Sequence, residues 1–151
     1  MSNYKMAAQK YVLARLNNAS SVTSIVGARI YDSVAPDVDL STGKPPLYPL
    51  LIVSHYGGPD DTLGGAGVRA LSRFTYLIKS VARNTGLGSI EALHNAVDAL
   101  FESVPASQVV IDTVTYDILG SVSNKTPALP PSIVSGERID YIGGLYTIHV
   151  S

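Results

Sequence analysis

The chain of 151 residues contains no cysteine, which excludes disulfides, thiolate nucleophiles and cysteine-ligated metals together. It has no excess of charge either: 11 basic residues stand against 12 acidic ones, for a formal net charge of -1. No global field therefore draws the chain to nucleic acid or to an anionic membrane. No segment approaches the roughly 18 successive apolar residues of a membrane span, and the opening MSNYKMAAQK lacks the apolar run of a signal peptide. A soluble protein that stays in the cell that makes it is expected. Catalytic signatures are missing too. There is no GxSxG or HExxH, and His55, His94 and His149 are scattered through the chain. The glycine-rich stretch after Tyr56 contains no GxxxxGK(S/T) and leads into strand rather than helix, so a phosphate cradle is not expected there. Asp60 and Asp61, adjacent and without further acidic ligands, fall short of a calcium loop. No catalytic residue, metal or cofactor is expected, and the chain is not read as an enzyme.

What is present is a core-forming sequence, 46% hydrophobic, enough for one compact domain over residues 1–151. Its organising stretch runs from Ala70 to Val104. Phe74, Tyr76, Ile78 and Ala82 alternate with Arg73, Thr75, Lys79 and Arg83, the period of two of a strand with one buried face. Asn84 to Gly88 supplies a turn in which Gly86 and Gly88 can take positive φ, and Ser89 is placed to cap a helix. Ile90, Leu93, Val97, Leu100 and Phe101 then form an apolar stripe, with Glu91, Asn95, Asp98 and Glu102 expected on the opposite side. Pro105 stops the helix.

Before this stretch, Asn3 to Asn18 reads as a helix with Ala8, Val12, Leu16 and Ala19 inward and Tyr4, Tyr11 and Leu13 beside them. Lys5, Gln9, Lys10 and Arg15 make its wet side. Ser20 or Ser21 is expected to cap a short helix from Val22 to Val26 that Gly27 ends. A short strand follows from Arg29 to Val34, then a loop from Ala35 to Pro46. Leu47 to Tyr56 is a strand whose run Leu50, Leu51, Ile52, Val53 suggests burial on both faces, and Pro49 marks its start. Gln108 to Leu119 reads as one alternating strand, with Val110, Val114, Tyr116 and Ile118 on one face. Gly120 to Pro131 reads as a loop, Ile133 to Asp140 as a polar strand broken at Gly136, Gly143-Gly144 as a hairpin turn, and Leu145 to Val150 as the last strand. The order α, α, β, β, β, α, β, β, β predicts an α+β fold: a single domain with a mainly antiparallel or mixed sheet and helices packed on one face.

Two features are candidates for contact with partners. Arg73, Lys79 and Arg83, with Arg69 before them, share one face of the long strand, a mixed surface of the kind found at an interface rim. The stretch from Gly57 to Ala70 holds five glycines, with Asp60, Asp61, Leu63 and Val68 as its notable side chains, and is expected to project about 20 Å as an assembly loop. The competing reading, a small-ligand module, would use Tyr48, His55 and Tyr56 as convergent pocket groups.

The order of motifs resembles the tail-completion or tail-terminator family of tailed bacteriophages. The most specific piece is SIVGARIYDSVAP, Ser24 to Pro36. It is followed by the strand that Pro45 and Pro46 precede, and then by a strand-to-helix unit containing SIEALHNAVDALF and a closing YTIHV. The likeness covers Lys10 to Val104 and, in order only, the C-terminal strands. The loops at Gly57 to Ala70 and Gly120 to Pro131 look longer than the family's minimum. The resemblance implies a structural virion protein made in the host cytoplasm and located in the tail or neck. It would form a homo-oligomeric ring, commonly a hexamer, at the head-proximal end of the tail. There it would stop tube growth and join the tail to the head connector. Its partners would be copies of itself, the tail tube protein and the connector or stopper protein, with DNA only passing through the lumen and no membrane. The alternatives are another phage neck or head-completion protein and the small-ligand module. The assembly candidates are Asp60, Asp61, Leu63, Val68, Arg69, Arg73 and Lys79.

Overall fold

The longest pairing in the protein joins two segments far apart in sequence. The computed structural model describes residues 4–33, 43, 47–57, 72–102, 107–125, 129–134 and 136–151. Among them the order is α1 (Tyr4–Asn17), α2 (Ser20–Val26), β1 (Ile30–Asp32), β2 (Leu50–Gly57), β3 (Ser72–Arg83), α3 (Gly88–Glu102), β4 (Ser107–Ile111), β5 (Val114–Lys125), β6 (Leu129–Val134) and β7 (Glu137–Val150). β3 and β7 pair antiparallel along their length, from Ser72 opposite Val150 to Arg83 opposite Ile139. Around this spine the sheet runs β1-β2-β3-β7-β5-β4, with β6 also paired to β7. β1 and β2 are parallel and the other pairs antiparallel. The fold is α+β with a mixed sheet.

The alternation read in β3 is what positions the core. Phe74, Tyr76, Ile78 and Ala82 are buried, together with Ser72 and Ser80. On β7 the same face presents Ile142, Tyr146, Ile148 and Val150, also buried. The helices lie on this face. α3 contributes Leu93, Val97 and Phe101, and α1 contributes Ala8, Tyr11, Val12 and Leu16, to one cluster with the strand residues. Leu100 is only partly buried at its margin, and Ile90 joins a smaller cluster with Ala82 and Ile142. β2 is apolar on both faces as expected: Leu51 and Val53 enter the main cluster, while Leu50 packs with Val81 and Ile139 on the other side of the sheet. That far side is therefore not uniformly wet, because Tyr31, Tyr48, Ile52 and Tyr141 border this second cluster.

Several local expectations are corrected. Ser89 lies inside α3, because Gly88 opens the helix and the Ile90 amide already donates to the Leu87 carbonyl at 3.0 Å. Ser20 likewise begins α2, whose cap is Ala19 with no side-chain bond; Gly27 ends it with φ 59°. Asp98 is buried rather than solvated and accepts from the Tyr146 hydroxyl at 3.3 Å. Gln108 to Leu119 is not one strand. It folds back at Asp112 and Thr113, both with positive φ (49° and 70°), a two-residue turn of the mirror-image type whose twist suits a hairpin. Val110 consequently faces away from Tyr116 and Ile118 and is exposed. The stretch read as a loop from Gly120 to Pro131 continues β5 to Lys125 and enters β6 at Leu129.

Gly143-Gly144 is no turn but the middle of β7. The reversal comes earlier, between β6 and β7, where Gly136 has φ 79°. Gly144 has a different task. A Cβ there would lie 2.5 Å from Oη and 2.8 Å from Cζ of Tyr146, whose ring leans back over the glycine. From that seat the Tyr146 ring meets Phe101 at 5.0 Å between centroids and its hydroxyl reaches Asp98. One missing side chain thus lets the sheet dock α3. Pro105 and, apart from Gly43, the connection 35–46 lie outside the described residues.

Candidate assembly surface

The outer face of β3 and β7, opposite the helices, carries the cation row. Alternate residues on one strand face stand about 6.6 Å apart, so Arg73, Lys79 and Arg83 span roughly 33 Å. Register pairs Arg73 with His149, Thr75 with Thr147, Leu77 with Leu145 and Lys79 with Gly143. The threonine hydroxyls of the second pair lie 2.9 Å apart and share a hydrogen bond. Leu77 and Leu145 are half-buried although no helix covers them among the described residues.

Each basic group is held differently. Arg73 is exposed beside His149. Burial lowers the His149 pKa from its ordinary value, and the Arg73 charge lowers it further, so the imidazole is neutral near pH 7. Lys79 reaches over the Tyr141 ring, with Nζ 5.5 Å from its centroid. Arg83 lies over the Tyr48 ring at 5.7 Å and forms an ion pair with Glu137. Such cation–π contacts are worth about 0.5–1 kcal/mol at exposed sites. They also fix long side chains against the second apolar cluster. The result is a half-buried apolar band edged by oriented cations.

Arg73 and Lys79 are thus together on one face, as the sequence placed them. Asp60, Asp61, Leu63, Val68 and Arg69 lie outside the described residues. The pocket residues of the competing reading do not converge: Tyr48 precedes β2 and belongs to the outer cluster, while His55 sits at the far end of that strand. There it is 5.6 Å from the Tyr76 ring and 6.4 Å from Phe74, with Tyr56 exposed. Burial, then the Lys5 charge, lowers the His55 pKa. No group of three or more metal-ligating side chains occurs among the described residues, and no described helix is long and apolar enough to cross a membrane.

Other polar groups on the helix side hold elements together. Arg138 Nε donates to both carboxylate oxygens of the fully buried Asp140 at 3.1 Å, a charge-assisted contact at the start of β7. Asn84 adopts a φ of 57° in the turn after β3. Its amide donates to the Arg138 carbonyl and its side-chain oxygen accepts from the Arg138 amide, both at 2.9 Å. Sequence reading missed a groove between α1 and β4, because its two walls come from residues about 100 positions apart.

No protein-family model and no curated protein matches the sequence. Among solved structures, a chain in the virion of a native gene transfer agent particle is similar at 20% identity and a TM-score of 0.56. The match covers 99% of this chain and 99% of that one. At that identity the two share a fold, and they share it from end to end.

Proposed function

We propose that this chain is a structural virion protein of the tail-terminator type. It assembles as a ring, a hexamer, at the head-proximal end of a tail, stops tube growth there and joins the tail to the head connector. The observation that carries the reading is the end-to-end fold similarity to a chain of a phage-like virion particle. The outer face supports it: the band of Leu77 and Leu145 between Arg73, Lys79 and Arg83 is half-buried in a single chain and suited to cover by a neighbour. The end strands β1 and β4 each have an edge with no strand partner among the described residues, open to further contacts. A ring needs a head-to-tail interface between two unlike surfaces of one chain, and these faces and edges are unlike. The role is mechanical rather than catalytic, with copies of itself, the tube protein and the connector as partners, and DNA passing through the lumen. Sedimentation of the purified protein, with electron micrographs of the same sample, tests it. Six-fold rings, and tails of uncontrolled length in particles lacking the protein, are expected. A monomer at every concentration, together with normal tails in its absence, would overturn the reading.

A further inference from the structure

The groove between α1 and β4 has a volume of about 460 Å³. Lys10, Tyr11 and Arg15 line one wall, and Gln108 to Val110 of β4 line the other. It is a different surface from the outer face of β3 and β7. β4 ends the strand order, so one of its edges has no strand partner among the described residues. Tyr11 is 93% buried, its exposure being 7%, yet among the described residues its hydroxyl has no hydrogen-bond partner, and Nε of Arg15 is buried in the same condition. Lys10 Nζ donates to the Val110 carbonyl at 3.1 Å and Arg15 Nη2 to the Leu100 carbonyl at 3.4 Å. Burial, opposed by the Arg15 charge, raises the Tyr11 pKa, which keeps the phenol a donor. None of the lining residues is acidic. Buried donors without acceptors destabilise a fold, and here they share one groove with two positive charges.

We infer that this groove binds an extended, carboxylate-bearing segment of a partner protein, laid along β4 as an added strand. Chemistry and geometry agree on that occupant. A carboxylate accepts from both the Tyr11 hydroxyl and the Arg15 guanidinium, and offsets the charge of Lys10. Side chains of an added strand alternate, so one acidic residue enters the groove while its two neighbours point to the other face. Val110, which lines the groove and is 52% exposed, offers those neighbours apolar contact at its rim. A free anion would satisfy the donors but leave Val110 and the strand edge uncovered.

The test is an NMR titration of the full chain with the peptide acetyl-Thr-Val-Asp-Val-Thr-amide, up to about 5 mM, where a millimolar Kd approaches saturation. Saturable shifts in the amides of residues 107–111 and 10–18 are expected. The peptide with Asn in place of Asp should bind about tenfold more weakly, as for one hydrogen bond to a charged group. Tyr11→Phe should weaken binding about tenfold while leaving the melting temperature equal or higher, because it removes an unpaired buried hydroxyl; a purely structural tyrosine would leave binding unchanged. Lys10→Glu, at an exposed position, should weaken it without unfolding. Absence of shifts, shifts elsewhere, or equal binding of the Asn peptide would overturn the assignment. The same amides shifting on concentration of the protein alone would give the groove to a second copy, and would also overturn it.

Discussion

Gly144 and Tyr146 show how much of this fold hangs on one close approach. Gly144→Ala would place a methyl within 2.9 Å of three atoms of the Tyr146 side chain, and the ring could move only by giving up Phe101 and Asp98. A loss of about 1–3 kcal/mol in urea unfolding is expected, the usual cost of overpacking. Tyr146→Phe should not rescue it, since Cζ and Cε2 would still collide. Tyr146→Leu should, giving a positive coupling in a double-mutant cycle. The glycine was visible in the sequence but its reason was not: a glycine pair between alternating residues reads as a turn until the partner strand is known. His149 acts at the same scale through its proton. Its folded pKa lies below the ordinary value of about 6.5, because burial and then Arg73 disfavour the charged ring. The unfolded chain therefore binds the proton more readily. Stability is fully present above about pH 6.5 and declines as pH falls through that value toward the folded pKa. His55 shifts in the same direction. His149→Gln should flatten the decline below about pH 6.5, followed by chemical denaturation, and leave the part owed to His55.

Elements were legible where their periodicity was local. β3, α3 and α1 could be read because each repeats its apolar residues along itself, and the structure buries most of those residues. The long strand from Gln108 failed because alternation does not register a reversal: Val110 and Val114 keep the parity of one strand although the chain turns between them. Asp112-Thr113 lacks the glycine that usually marks such a turn. Thr113 instead holds φ 70° with a β-branched side chain, a conformation that costs an L-residue roughly 1–2 kcal/mol. Thr113→Gly should relieve most of that, raising stability by about 1 kcal/mol in thermal or urea unfolding. In α3 the stripe was right and its edges were not. Leu100 is at the margin, whereas Leu93 and Phe101 are fully buried. Leu100→Ala, which as a core truncation would cost about 2–5 kcal/mol, should therefore cost less than about 2. Leu93→Ala should cost about 2–5 and Phe101→Ala about 3–5 kcal/mol. Equal losses at all three positions would mean that α3 is rotated on the sheet.

At the scale of the whole molecule, the helices pack on one face of the sheet, and among the described residues no helix covers the other. The sequence indicated that division through the charged positions of β3, but not the second apolar cluster, since Leu50, Val81 and Ile139 come from three strands that only the sheet brings together. This cluster changes what charge reversal should do. Lys79 and Arg73 do not hold the core; Lys79 rests on Tyr141, and Arg73 stands exposed opposite His149. In the double variant Arg73→Glu, Lys79→Glu, loss of the Lys79 cation–π contact should cost about 0.5–1 kcal/mol, and the chain should keep its fold by circular dichroism. The Arg73→Glu change would also replace a positive neighbour of His149 with a negative one, raising the imidazole pKa, which proton NMR can follow. If the proposed ring uses this face, assembly should respond far more strongly, because every subunit would contribute the altered face and each like-charge contact would repeat around it. Sedimentation should show subunits in place of rings, with partial recovery at high salt as screening shortens the range of the new repulsion. A folded double variant that still forms rings at low salt would place the subunit boundary elsewhere, and the sheet edge at β1 would be the next surface to reverse.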